Sequence, residues 1–391
     1  MLISNEDAMT TLWDTTGTAI VNELARQRHA GGATISGVAL TLIVVADDAK
    51  VAEAEEAAAT VAAQHPCRIL VVVRRQVDTP PRLDAEVLVG GRLGPAEAVV
   101  MRMYGRLGLH AESVVVPLLA ADVPVVTWWH SPPPAVLATD ALAVIADRRI
   151  TDCSMAGDPL AALRTRADDY AAGDTDLAWT RSTLWRSILT STLDAAAARR
   201  TTPLRLRGGE IEGDLHNATA ALVGGWLRWR CGCAIDVVDS GRPTGSNGIN
   251  AVTLLLDGDE KIRVSADGRG RAVITQPYRA DTTVPLPERS LGDLLGEELR
   301  RLDADEPYGQ ALEAATGRVG LAGRPATRQH IWVDPTQPST LDRAMAGQHG
   351  RLGWKSGEAT VPNLAAVDRP DTAPATDGDP GGAEQGDFLT R

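Results

Sequence analysis

The stretch SGVALTLIVVADDAKVAEAEEAAATVAAQHPCRILVVV, from Ser36 to Val73, decides the fold. Its opening, Ser36 to Ala46, is rich in valine, leucine and isoleucine without strict alternation, the pattern of a strand buried on both faces. Asp47 and Asp48 then introduce an alanine-rich helix, Val51 to Gln64, with acidic residues in its first turns, where the positive end of the helix dipole favours them. Cys67 to Val73 (CRILVVV) is a second doubly buried strand. Strand, helix and strand in this order form a βαβ unit and predict a parallel sheet covered by helices.

Outward from this unit the alternation continues. AEVLVG (Ala85 to Gly90) reads as a strand, Pro95 to Gly108 as a helix, and ESVVVP (Glu112 to Pro117), VPVVTWW (Val123 to Trp129) and ALAVIAD (Ala141 to Asp147) as further strands. Upstream, Leu12, Ile20, Val21 and Leu24 fall at helical spacing, so Met9 to His29 predicts an amphipathic helix ended by Gly31 and Gly32. The expectation is an N-terminal helix within 1–35 and a Rossmann-like α/β domain over 36–157. Such a sheet places its crevice beyond the carboxyl ends of its strands, where Trp128 and Asp147 would lie.

From 158 to 320 the pattern changes to α+β. Thr183 to Arg200 predicts a helix with Trp185, Ile188, Leu189 and Leu193 on one face. A short strand at Leu204 to Gly208 and a helix at Leu215 to Arg230 follow, and then several β-like runs between Cys231 and Arg279. Asp257-Gly258 and Asp267-Gly268 suit tight turns in an antiparallel meander. Leu291 to Leu302 and Gln310 to Ala315 supply two further helices. Beyond Leu321 the chain is rich in proline, glycine, aspartate and threonine, too poor in apolar residues to offset the entropy of ordering, so 321–391 is expected to be a largely disordered tail.

Composition excludes several classes of function. A hydrophobic content of 44% supports a sizeable core, while a net charge of -12 argues against a nucleic-acid partner, which needs a basic face. No apolar run approaches the length of a membrane span, which argues against a membrane partner. Glu6, Asp7 and Asp14 stand where a signal peptide would be basic and then apolar, so the cytoplasm is the expected compartment. The four cysteines, Cys67, Cys153, Cys231 and Cys233, form no CxxC pair and are expected as reduced thiols. Redox sensing at Cys231 and Cys233 is conceivable, but a structural role is the simpler reading.

Cofactor and catalytic signatures are also missing. A phosphate site needs a glycine-rich turn between strand and helix, so that amides at the helix N-terminus reach the anion. The turn GGRLGP (90–95) is the best candidate, whereas GRPTGSNG (241–248) lacks the P-loop lysine and reads as a hairpin loop. No GxSxG or HExxH sequence occurs, and the seven histidines are scattered, with His130 alone at a strand end. Neither a catalytic residue, a cofactor nor a metal site is therefore expected.

What remains is a concentration of contact-prone residues between Val123 and Arg186, which holds four of the nine tryptophans. Tryptophan and arginine dominate protein contact surfaces because they offer large area or a rigid donor fork at low entropic cost. The candidate partner-binding residues are Trp128, Trp129, Arg148, Arg149, Asp152, Trp179, Arg181, Trp185 and Arg186. Trp128 and Trp129 must point to opposite faces, and Trp185 belongs to an apolar stripe, while Arg181 and Arg186 are freer to project. The plainer alternative makes the tryptophans core fillers, with the arginines tied to Asp147, Asp152 and Asp176. A competing class is an enzyme or sensor that binds a sugar phosphate or nucleotide in the sheet crevice through His130, Arg148 and Asp152.

In this region VPVVTWW with a proline-rich turn, ADRRITD with DPLAAL shortly after, and DLAWTRSTLWR occur in order. Together they resemble the OpcA family of glucose-6-phosphate dehydrogenase assembly proteins, over roughly Thr10 to Gly317 and in its actinobacterial form. The resemblance implies a non-enzymatic partner that assembles or allosterically activates glucose-6-phosphate dehydrogenase, at the start of the oxidative pentose phosphate pathway.

Overall fold

A computed structural model describes residues 9–30, 37–76, 78–90, 96–245 and 247–333. In chain order the first part contains β1 (Thr10–Leu12), α1 (Gly17–Ala30), β2 (Leu40–Ala46), α2 (Val51–Gln64), β3 (Cys67–Arg74), β4 (Arg82–Val89), β5 (Glu97–Tyr104), α3 (Glu112–Val115), β6 (Val125–His130), α4 (Ala141–Val144), β7 (Arg148–Thr151), α5 (Pro159–Asp169) and β8 (Asp174–Asp176). Its eight strands form one sheet in the order β1-β4-β5-β3-β2-β6-β7-β8. From β5 to β8 all neighbours are parallel, whereas β4 and β1 add antiparallel strands at one edge.

The unbroken apolar runs of β2 and β3 follow from burial on both faces. Leu42 and Val44 enter one core with Ile69 and Val71, and Ile43 and Val45 enter the other with Leu70 and Val72. Small residues of α2, among them Ala54, Ala57 and Ala58, cover the first face, and Ile20 and Leu24 of α1 cover the second.

Four expected elements differ. Thr10–Leu12, read as the start of the N-terminal helix, form β1 on β4, and the helix begins at Gly17. Residues 97–104, expected as a helix, form β5 between β3 and β4. Val99, Val100, Met101 and Met103 are buried there, and sheet packing overrides a helical pattern that local propensity only weakly supports. Val89 pairs with Glu97, so β4 and β5 are antiparallel neighbours where a helix was expected to follow the turn. Positions 91–95 of the anion candidate lie outside the described residues, as do Gly31 and Gly32.

The segments 112–117 and 141–147, expected as strands, begin with the short helices α3 and α4. Asp140 caps α4 by accepting from the Leu142 amide at 3.0 Å, and Asp147 accepts from the Val125 amide at 2.9 Å. The strand is displaced to the following RRIT, two of whose four residues are arginines buried with partners.

The second part contains α6 (Leu177–Arg181), α7 (Thr183–Ala197), β9 (Leu206–Gly213), α8 (Ala218–Cys231), β10 (Ala234–Asp239), β11 (Ile249–Leu256), β12 (Lys261–Ala266), β13 (Arg271–Thr275), β14 (Thr282–Pro285), α9 (Leu291–Glu298) and α10 (Glu306–Thr316). Six strands form a second sheet in the order β10-β9-β11-β12-β13-β14. From β9 through β14 the neighbours are antiparallel, the expected meander, and β10 lies parallel to β9 after the crossover through α8. The α/β sheet followed by an α+β part is the fold class read from the sequence.

Two later segments return to the first sheet. Helix α9 packs on α2, where a Cβ on Gly292 would stand 2.5 Å from Thr60 Cβ, so glycine permits the approach. The expected tail begins as a docked segment, since Leu321 is buried and the Ile331 amide donates to Ala138 O at 2.8 Å. Trp332 stacks on His110 with ring centroids 4.9 Å apart. Positions 334–391 lie outside the described residues.

Candidate functional site: the strand-end crevice and its arginines

Strand β2 stands between β3, which follows it in the chain, and β6, which comes much later, so the topology reverses direction between β2 and β6. The crevice of an open α/β sheet forms at such a point, outside the carboxyl ends of the strands. Here a cavity of about 230 Å³ is lined by Glu53, His130, Asp152, Met155, Arg181, Glu288, Arg289, Leu291 and Leu294. Residue His130 ends β6, Asp152 follows β7, and Glu53 sits in the first turn of α2. The remaining wall comes from the segment leading into α9.

Its charges are mostly paired. His130 Nε2 donates to Glu53 Oε2 at 3.0 Å, while His130 Nδ1 is buried without a hydrogen-bond partner among the described residues. Arg181 grips Asp152 with two bonds of 2.8 and 2.6 Å. A nucleotide phosphate in this place would meet Glu53 in the first turn of α2, where a phosphate site presents bare amides.

Below the crevice lies a buried ionic layer. Arg148 donates to Glu298 Oε2 at 2.5 Å and to Asp303 O at 2.7 Å, and Glu298 Oε1 accepts from Thr180 at 2.6 Å. Arg149, on the other face of β7, donates to Asp174 at 2.5 Å and to the carbonyls of Ala146, Ala172 and Ala326. Asp174 also receives Arg328 of the docked segment. Burial alone would raise the Asp174 carboxyl, but Arg328 and Arg149 together hold it below its ordinary value. The Asp176 carboxyl is raised by burial and by the neighbouring Asp152, and it accepts from Thr151 at 2.7 Å and from the Cys153 amide.

The tryptophans are interior. Trp128 and Trp129 do point to opposite faces, and both are core, with Trp128 against α2 and α9 residues and Trp129 against Leu137 and Leu142. Trp185 joins the separate core of the second sheet. Trp179 is buried and donates through Nε1 to Asp305 at 2.8 Å.

Arg186 is the exception. Its guanidinium stacks 3.6 Å above the Trp179 ring and donates to the hydroxyls of Ser182 and Thr183 at 2.8 and 3.1 Å. Among the described residues it forms no ion pair with a carboxylate, and burial lowers its pKa to about 10, against the attraction of Asp305, Glu297 and Glu298. A half-buried cation held by neutral groups and an aromatic face is a pre-organised receptor for an incoming carboxylate.

The structure thus brings Asp152 and Arg181 into the crevice with His130, stacks Arg186 on Trp179, and distributes Arg148, Arg149, Trp128, Trp129 and Trp185 among separate interior sites. Glu53, Arg289, Leu291 and Leu294 escaped the sequence reading. The charge of Glu53 suited a helix dipole, and the others come from a segment with no local mark of its contact with α2. The CGC cysteines occupy different elements, Cys231 ending α8 and Cys233 following the left-handed Gly232. Among the described residues no group of His, Cys, Asp or Glu is arranged to hold a metal ion, and no helix is long and apolar enough to cross a membrane.

Fold and site together define an α/β protein joined to a mixed-sheet part, with a carboxylate-lined crevice between β2 and β6. The chain matches the family model for the glucose-6-phosphate dehydrogenase subunit N-terminal domain over residues 58–168 and that for the C-terminal domain over residues 172–312. It belongs to the OpcA family of glucose-6-phosphate dehydrogenase assembly proteins. No curated protein matches it. Among solved structures it is similar to an oxidoreductase from Sinorhizobium meliloti, at 10% identity over 81% of this chain and 99% of the other, with a TM-score of 0.29, too low to bear on fold or function.

Proposed function

We propose that this protein is a non-enzymatic cytoplasmic assembly factor and allosteric activator that binds glucose-6-phosphate dehydrogenase and supports the oxidative pentose phosphate pathway. The observation that carries the reading is the succession of the two family domains along most of the folded chain. Carboxylates at the α2 N-terminus and the return of α9 against α2 support a contact role over phosphate chemistry. Arg186, stacked on Trp179 and without an ion pair among the described residues, is the residue through which a carboxylate on the enzyme would be met, whereas Arg181 is already held by Asp152. Activation requires tighter binding to the active form of the enzyme than to the inactive one.

The test is dehydrogenase activity and co-sedimentation with and without the full chain. Arg186→Ala weakens binding by about 2 kcal/mol, near thirtyfold, if it is a central anchor. Unchanged affinity and activation in a folded Arg186→Ala variant would reject this contact. The buried, unpartnered Nδ1 of His130 favours a second reading, a small-molecule sensor in the crevice. Thermal shifts with sugar phosphates and nicotinamide nucleotides, lost in His130→Ala, would distinguish it.

A further inference from the structure

The motif GRPTGSNG, expected as a hairpin loop, instead connects two strands that are not neighbours, because β9 lies between β10 and β11. Arg242, Pro243, Gly245 and Asn247 of this connection stand at the rim of a groove larger than the strand-end crevice. This groove encloses about 580 Å³. Three segments converge on it: the β10–β11 connection and the start of β11 with Arg242, Asn247 and Asn250, the β12–β13 turn from Ala266 to Arg271, and Leu286 and Glu288 after β14. Trp185 of α7 contributes a wall that is fully buried, and its indole N–H has no acceptor among the described residues.

The electrostatics depart from those of a chain with net charge -12. Arg242, Arg263 and Arg271 line the groove against two carboxylates, Asp267 and Glu288. Arg263 is bidentate on Glu212, and Arg242 shares that one carboxylate at 3.6 Å, so two guanidiniums draw on a single charge. The Arg271 side chain has no partner among the described residues. Asp267 is spent on its own turn, accepting from the amides of Arg269 and Arg271 at 2.7 and 3.1 Å.

Glycine makes the turn approachable. A Cβ on Gly268 would meet nothing within 4 Å, and one on Gly270 would meet nothing nearer than 3.8 Å, so open space lies where side chains would stand. An anion can therefore come close to the backbone, the use for which glycine-rich turns are suited.

We propose that this groove binds a small phosphate-bearing metabolite. Arg242 and Arg271 take the phosphate oxygens, the fork of Arg263 backs them, Asn247 and Asn250 meet the polar remainder, and the buried Trp185 N–H supplies a donor in need of an acceptor. Glu288 lines both this groove and the strand-end crevice, so an occupant here bears on the segment leading into α9. The site stands on the second sheet with α7 and the segment after β14, and is independent of which protein the chain assembles with.

Titration calorimetry on the full chain tests it with three probes, inorganic phosphate, mannose 6-phosphate and unphosphorylated mannose. Inorganic phosphate and mannose 6-phosphate are expected to saturate one common site, the sugar phosphate more tightly, and mannose to give no heat. The double variant Arg242→Ala and Arg271→Ala alters two side chains outside the core, so it keeps the parental melting temperature, and it weakens both phosphates at least about tenfold, the loss of about 1.4 kcal/mol or more. Absence of saturation below about 10 mM, roughly -2.7 kcal/mol, would overturn the proposal. So would retention of binding in the double variant, or equal displacement by chloride, which would mark an adventitious ion only.

Discussion

Removal of the Glu298 carboxylate puts the ionic layer under the crevice to a direct test. Arg148 and Glu298 have side chains only 3% and 7% exposed, and they face each other at 2.5 Å across β7 and α9. In Glu298→Ala the Arg148 guanidinium keeps only the Asp303 carbonyl, and Thr180 loses its acceptor. An uncompensated buried charge of this kind costs about 3–5 kcal/mol, and the orphaned hydroxyl adds to it. Urea denaturation should therefore move the midpoint down by about 1–3 M at a slope typical of proteins this size or smaller.

The double variant Arg148→Met with Glu298→Leu removes both charges and restores most of that stability, because desolvation and attraction disappear together. Hydrogen exchange should localise the damage in the single variant to α9 and the α2 surface beneath it, where Leu294 and Leu295 are buried. A loss below about 1 kcal/mol in Glu298→Ala, or a double variant no better than the single, would show that the pair is solvated and would refute the reasoning.

Further outcomes follow from other contacts. Gly292→Ala forces a Cβ to 2.5 Å from Thr60 Cβ and should cost about 1–3 kcal/mol in thermal unfolding, relieved by adding Thr60→Gly; no change would mean that α9 does not lie against α2. The Asp174 carboxyl is lowered in the fold, so its contribution is complete above the unfolded value near 3.9 and is lost as pH falls through the folded one. Acid titration of stability should lose that component in Asp174→Asn and show a smaller one in Arg328→Met. Burial pushes the Cys67 thiol up to about 12 and the Cys231 thiol up to about 11, so at pH 7.5 fewer than about one in a thousand of either is thiolate. Alkylation of these two positions, followed by mass spectrometry, should be at least about a hundredfold slower than in urea, and rapid native labelling would contradict the burial.

Much of the architecture was legible where local and global demands coincide. β2 and β3 read as buried strands because neither face needs polar residues, and Asp257-Gly258 and Asp267-Gly268 marked the meander turns through their left-handed glycines. Legibility failed where a partner distant in sequence sets the environment. The β7 strand RRIT looks like a polar connector until Glu298 and Asp174 neutralise its arginines and the Asp303 carbonyl accepts from Arg148. β5 looks helical until its neighbours β3 and β4 are known.

The candidate site divides in the same way. Its signature residues stood out as a set, and the order of VPVVTWW, ADRRITD and DLAWTRSTLWR pointed to the family that the domain matches show. Composition could not tell a contact tryptophan from a core one, since the same large side chain serves both, and Trp128, Trp129, Trp179 and Trp185 are all core.

By itself, then, the sequence determined the βαβ character of the first sheet, the meander of the second and the family, because these depend on periodicity and on motifs contiguous in the chain. Only the tertiary structure decided that Arg148, Arg149 and Arg181 are consumed by internal carboxylates while Arg186 rests on an aromatic face, with no carboxylate paired to it among the described residues. An arginine's availability is settled by what stands within about 4 Å of its guanidinium, and in this chain Glu298 reaches Arg148 from 150 positions away.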